Sequence, residues 1–221
     1  MENLRIIQTE DGSHTLRNLA LDETYHSSRG AIEESRHVFI KAGLEFVLAR
    51  KLKSVSILEV GFGTGLNALL TMLHPQKVKI EYHAIEKNPV PRDVYSKLNY
   101  PQELRTKDRD FLNLHDIPWG DEHSIGATFK MKKIQGDINE IELPKSHFQL
   151  IYFDAFSPTK QPEMWQPATL KKVSESMLKN GVLVTYCSQG QFRRNLRELD
   201  MTVEKLPGPP GKFEMVRAII N

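Results

Sequence analysis

The sequence predicts an α/β fold, a mostly parallel sheet wound with helices and finished by a C-terminal antiparallel hairpin. Three observations carry this. Residues 54–67 read as a buried strand (Val55, Ile57, Leu58, Val60), a turn of alternating glycines (Gly61, Gly63, Gly65) and an apolar helix opening at Leu66. Strand, glycine turn and helix begin a nucleotide-binding unit, because glycine lets backbone approach a ligand with no Cβ in the way. Further apolar runs also end at acids: 78–85 at Glu86, 129–136 at Asp137, and 147–153 at Asp154, beside Glu59 in the first strand. Ligands of open α/β sheets bind outside the carboxyl ends of the strands, where these acids fall. Finally, residues 202–206 and 215–220 flank the turn Pro207-Gly208-Pro209-Pro210-Gly211-Lys212 and pair as the terminal hairpin.

The elements follow in order. Residues 4–19 read as a hairpin about Asp11-Gly12, a strong turn dipeptide. Residues 22–39 are crowded with polar groups before a helix with Phe39, Ala42, Phe46 and Ala49 on one face. By composition that stretch is either a solvated loop and a charged first turn, with Glu33 and Glu34 favouring the helix dipole, or a substrate-facing loop. After Glu86, Pro89 and Pro91 bracket the start of a helix running to about Tyr100. Residues 101–129 are too long and polar for a simple connection and read as an inserted segment closing over one end of the sheet. Trp119 there is a base-stacking candidate or a buried anchor. Pro162 suits a helical first turn, before a helix with Leu170, Val173, Met177 and Leu178 on one face. A strand over 181–187 and a short basic helix with Arg193, Arg194 and Arg197 precede the hairpin. The division is an N-terminal appendage and substrate loop (1–53) on a core (54–221) interrupted at about 101–129, together one compact unit.

Composition sets the bounds. The 221 residues are 39% apolar and 26% charged, ordinary for a globular protein. No run is long enough for a transmembrane helix, and Met1-Glu2-Asn3 does not open a signal peptide, so a cytoplasmic setting with no membrane partner is expected. One cysteine, Cys187, allows no internal disulfide. Eight histidines show no metal spacing, so no metal is expected. A net charge of +2 permits a nucleic-acid partner without demanding one.

The acids narrow the ligand. Glu86 after the second strand can accept both ribose hydroxyls of a nucleoside, and Asp137 the exocyclic amino group of adenine. Glu59 beside the glycine turn is awkward for a pyrophosphate but suits the ammonium of an amino-acid-bearing nucleoside. That points to S-adenosylmethionine rather than NAD. A Rossmann-like, mostly parallel sheet ending in an antiparallel hairpin is the layout of class I S-adenosylmethionine-dependent methyltransferases.

The motifs together resemble one family, the methyltransferase domain of the bacterial tRNA-modifying enzyme MnmC. The resemblance rests on Tyr25, Ser27, Gly30, Glu34, Arg36, Val38 and Phe39, on the run Leu58 to Asn67, and on Gly136-Asp137. It continues through Asp154-Ala155-Phe156-Ser157-Pro158-Thr159-Lys160-Gln161-Pro162-Glu163-Met164-Trp165 and Gly208-Pro209-Pro210-Gly211-Lys212-Phe213-Glu214-Met215. It implies methylation of the aminomethyl group of 5-aminomethyl(-2-thio)uridine at the wobble position, giving 5-methylaminomethyl(-2-thio)uridine. In many bacteria this domain is fused to a flavin-dependent oxidase. The length here implies a stand-alone form, with no flavin and with an upstream enzyme supplying the aminomethyl intermediate.

The implied partner is the tRNA anticodon stem-loop. The implied catalytic residues are Asp154, to orient the amine and take its proton, and Tyr25. The cofactor set is Glu59, Gly61, Gly63, Gly65, Asn67, Glu86, Asp137 and Asp154, with the glycines and Glu59 at the methionine part. The substrate set is Tyr25, Ser27, Glu34, Arg36, Phe156, Lys160 and Lys212, with Arg193, Arg194 and Arg197 as further phosphate candidates. Two other readings fit the same acids. One is a methyl- or aminopropyltransferase for a small amine, and the other a cofactor- or RNA-binding module without catalysis.

Overall fold

The computed structural model describes residues 3–75 and 77–221. Met1 and Glu2, read above as no signal-peptide start, lie outside the described residues. The chain opens with β1 (Leu4–Gln8), β2 (His14–Asn18) and β3 (Glu23–Thr24), which form a small antiparallel sheet. The expected turn is present, and Asp11 organises it. Its carboxylate accepts from Thr9 and Ser13 and also from the amide of Glu33, capping from afar the helix that follows.

That helix, α1, spans residues 31–48. Its middle, Arg36–Glu45, is wound as a π-helix. It packs on the strands β8 (Phe148–Phe153), β9 (Met177–Thr185) and β11 (Glu214–Ile220). Gly43 permits the approach, since a Cβ there would stand 2.9 Å from the Val184 side chain. The appendage is thus part of the core, where Leu16, Val38, Phe39 and Leu44 are fully or nearly fully buried.

Among the described residues the main sheet has eight strands. Besides the three just named they are β4 (Ser54–Val60), β5 (Lys79–Glu86), β6 (Glu122–Ile125), β7 (Phe129–Gln135) and β10 (Met201–Pro207). Their order is β10-β11-β9-β8-β4-β5-β7-β6. The five central strands are parallel, and both edges are antiparallel. β4 is buried from Val55 to Val60, as a parallel strand covered on both faces must be. On one face lie α1, α2 (Leu66–Leu73) and α5 (Asp108–Asp116); on the other lie α6 (Pro167–Ser176) and α7 (Gly190–Glu198).

Residues 101–129 do not form a separate lid. They hold the end of α4 (Tyr100–Glu103), which follows the short α3 (Arg92–Tyr95), then α5, then β6, which extends the sheet beside β7. Trp119 is an anchor, with its ring against Phe62 and beneath the Lys133 ammonium. Helix α6 also ends earlier than its apolar spacing suggests. Met177 and Leu178 leave the helix and begin β9, because Met177 pairs with Phe148 across the sheet.

Candidate active site

β4 pairs with β5 on one side and β8 on the other, and the chain leaves these strands toward opposite faces. This switch point opens a crevice at the strand carboxyl ends. Gly61 lies at its base with φ +94°, and a Cβ there would stand 2.5 Å from the Asp154 carbonyl oxygen. The Asp154 amide donates to the Val60 carbonyl at 2.9 Å, so glycine turn and acid are locked together. The result is a cavity of ≈ 490 Å³, within the range of small-molecule sites.

One end of the cavity is an acid–base cluster. Asn67, at the start of α2, donates to Asp154 Oδ2 at 2.8 Å. Glu34, buried on α1, accepts from the Ser27 amide at 2.9 Å and pairs with Lys212 at 2.6 Å. Lys212 arrives from the β10–β11 turn, and its ammonium stands 3.8 Å from the centre of the Tyr186 ring. Burial pushes the Asp154 carboxyl up to about 7, and the Glu34 charge adds to this. Asn67 and Lys212 oppose that rise. The carboxyl can therefore hold or release a proton near neutrality.

The other end is shaped for a nucleoside. Glu86 Oε2 accepts from the Gly63 amide at 3.0 Å, and Oε1 from the Asn88 amide at 2.8 Å. Burial raises its carboxyl above the ordinary range. Asp137 accepts from the Asn139 amide at 2.9 Å and pairs with Lys87 at 3.0 Å, and these contacts hold it below the ordinary range despite partial desolvation. Ile138, Met164 and Ile85 give this end an apolar wall. Tyr25 leads out of β3 and packs its ring on Gly63 and edge-on to Phe156, 4.9 Å away. Burial raises the Tyr25 hydroxyl well above its ordinary value, with Glu86 adding to the effect. Glu23 fixes the facing loop by accepting from Ser157 Oγ at 2.9 Å.

The structure brings together Tyr25, Ser27, Glu34, Gly61, Gly63, Asn67, Glu86, Asp137, Asp154, Phe156 and Lys212, all expected from sequence. It leaves out Glu59, Gly65, Arg36 and Lys160. Glu59 points to the same side of β4 as Val55 and Ile57 and is fully buried, its carboxylate facing the Tyr82 and Asn67 side chains. Burial, with Asp154's charge adding, lifts its carboxyl well above the usual range. Gly65 supports the turn from behind, against His115. Arg36 is exposed beside Glu33 and His37, because two residues along a helix turn a side chain away from the face that carries Glu34. Lys160 is exposed, on the side of Asp22. Arg193 and Arg194 are engaged locally, by the Ser188 carbonyl and Gln191, and neither they nor Arg197 line the cavity. Sequence reasoning missed Lys87, Asn88 and Tyr186. Lys87 and Asn88 directly follow Glu86, so the loop after that strand was the available signal.

Residues 115–221 match the family model described as S-adenosyl-L-methionine-dependent methyltransferase. The chain is 30% identical over 210 residues to the tRNA 5-methylaminomethyl-2-thiouridine biosynthesis bifunctional protein MnmC of Ralstonia nicotianae, covering 89% of this chain and 32% of that protein. The chain thus spans about a third of the length of the curated relatives it matches. The crystal structure of MNMC2 from Aquifex aeolicus superposes with a TM-score of 0.84 at 28% identity, over 100% of this chain and 71% of that one. Human methyltransferase-like protein 13, in complex with SAH, shares the fold at a TM-score of 0.51 and 18% identity, over 85% of this chain and 82% of that one. The architecture is that of class I S-adenosylmethionine-dependent methyltransferases, with the expected parallel core and terminal hairpin.

Proposed function

We propose that this chain, a homologue of the methyltransferase portion of the MnmC proteins, is an S-adenosylmethionine-dependent N-methyltransferase acting on tRNA. The reaction converts 5-aminomethyl(-2-thio)uridine at the wobble position to its 5-methylaminomethyl form. The observation that carries this reading is Asp154, an acid poised near neutrality between a nucleoside-shaped crevice and the Glu34–Lys212 pair.

The residues fit the cofactor. Gly61 and Gly63 leave backbone bare where a Cβ would meet Asp154 or Tyr25. Glu86 offers carboxylate oxygens to ribose hydroxyls, and Asp137 with Ile138 and Met164 forms the adenine end. Asn67 lies at the methionine end, with Asp154 between it and the Glu34–Lys212 pair, and Glu59 is buried outside the cavity lining. S-adenosylmethionine supplies a methyl group on a sulfonium.

The protein's part is to present a neutral amine in line with that group. Proximity and orientation of this kind can lower a barrier by roughly 7–11 kcal/mol. A carboxylate beside an ammonium holds it but raises its pKa, which opposes attack. Lys212 offsets this, since it neutralises Glu34 and leaves Asp154 to receive the amine and take its proton. Tyr25 and Phe156 offer aromatic faces to the base that carries the amine. Phe213, fully exposed beside Lys212 at the turn, supports a substrate larger than a free small amine. The setting proposed is cytoplasmic, with an upstream enzyme supplying the amine; no described helix is long and apolar enough to cross a membrane.

The test is transfer of labelled methyl to tRNA from cells lacking this methylation, run beside spermidine. Transfer to tRNA and not to spermidine is expected. Transfer to spermidine alone overturns the tRNA reading, and cofactor binding without transfer to either overturns catalysis.

A further inference from the structure

A second cluster of ligand-type side chains lies on the sheet away from the cavity. Glu81 and His83 stand two apart on β5 and so share a face. His147 meets them from the chain just before β8. Glu81 Oε1 is 3.0 Å from His83 Nε2 and 3.0 Å from His147 Nε2. The ligand atoms all lie within 4.8 Å of one another. Ser56 of β4, opposite Glu81 in register, donates to the His147 carbonyl at 2.5 Å and fastens that corner.

We propose that Glu81, His83 and His147 bind a divalent transition-metal ion of the zinc type, stapling the entry of β8 to β5 across the end of β4. Zinc sits about 2.0–2.2 Å from imidazole nitrogen and carboxylate oxygen, which at tetrahedral angles places neighbouring ligand atoms about 3.3 Å apart. To admit the ion the two Glu81 contacts open by a few tenths of an ångström, and the two imidazole nitrogens, which lie within 4.8 Å of one another, close toward about 3.3 Å. Two imidazoles and one carboxylate suit zinc, cobalt or nickel rather than magnesium or calcium, which take oxygen ligands. Without metal, the Nε2–H groups point at one carboxylate oxygen. With metal, each ring carries its proton on Nδ1 and gives Nε2 to the ion. Lys130 and Lys132 pair opposite Glu81 and His83 on β7 and oppose a cation, but Lys130 is engaged by Glu122. Glu86 lies five residues further along β5, roughly 16 Å away, so the role is structural.

Metal-free protein titrated with Co²⁺ is expected to take up one equivalent, with the intense visible bands of a tetrahedral ion that Zn²⁺ then displaces. Zn²⁺ should also raise the thermal midpoint, because it binds the folded state. His147→Gln, at a half-exposed position, should weaken binding by at least about tenfold, the lower end of what loss of even an outer-shell partner costs. Glu81→Gln should do the same, and both variants should keep the wild-type circular dichroism spectrum without metal. No saturable uptake at one equivalent, or uptake by both variants equal to wild type, overturns the site.

Discussion

Asp154→Asn should make the protein more stable while removing its chemistry. Asp154 is charged at high pH in a place that resists charge, since burial and Glu34 lift its carboxyl from 3.8 to about 7. The folded state therefore binds a proton between those values that the unfolded chain has released. Stability attributable to this group is full below about pH 4 and is lost as pH rises toward 7. Each pH unit in that window is worth about 1.4 kcal/mol, which sets a ceiling of about 4 kcal/mol. The cavity mouth admits water to the carboxyl and brings the expected gain to about 1–3 kcal/mol. Asparagine keeps an oxygen for the Asn67 amide. Urea unfolding of both proteins from pH 5 to 8.5 measures the effect. The gap should be about a third to a half of its full size at pH 5 and widen to a plateau above pH 7.5. A variant no more stable than wild type at pH 8, or a gap that does not change with pH, refutes the argument.

Other consequences follow from the same cluster and its surroundings. Glu34→Gln removes a charge that raises Asp154, so the acid limb of kcat/KM should move to lower pH; Lys212→Met should move it higher. Gly61→Ala forces a Cβ against the Asp154 carbonyl at positive φ, and calorimetry should show cofactor affinity lost together with at least about 1–3 kcal/mol of stability. Phe213→Ala should weaken tRNA binding by roughly 1–3 kcal/mol, the worth of one stacked base. Filter binding should show that loss with an unchanged salt slope, and calorimetry an unchanged cofactor affinity, because Phe213 carries no charge and lies outside the cavity.

Much of this was legible in the sequence because the signals were local. β4 and β7 stand where their apolar runs place them, and the hairpin of β10 and β11 brackets its Pro-Gly turn. Glu86, Asp137 and Asp154 line the cavity because acids at parallel strand ends share one edge of the sheet. What the sequence did not place depended on orientation or partnership. Glu59 is one residue out of phase with Val60, which lines the cavity, and in a strand that reverses the side chain. Met177 continues the spacing of Leu170 and Val173, yet its partner Phe148 lies 29 residues upstream and pulls it into a strand. β6 is a short edge strand whose Glu122, His123 and Ser124 give no apolar alternation to read. Glu81, His83 and His147 meet only because β4 brings distant segments alongside one another.

The measurement that bears most directly on the central claim is nucleoside mass spectrometry of tRNA after reaction with wild type and with Asp154→Ala, with cofactor affinity measured for both. Wild type should convert the 5-aminomethyl nucleoside to its 5-methylaminomethyl form, while Asp154→Ala binds the cofactor within a few-fold of wild type and leaves the nucleoside unchanged. A methyl group on any other nucleoside, or equal conversion by Asp154→Ala, would contradict the account.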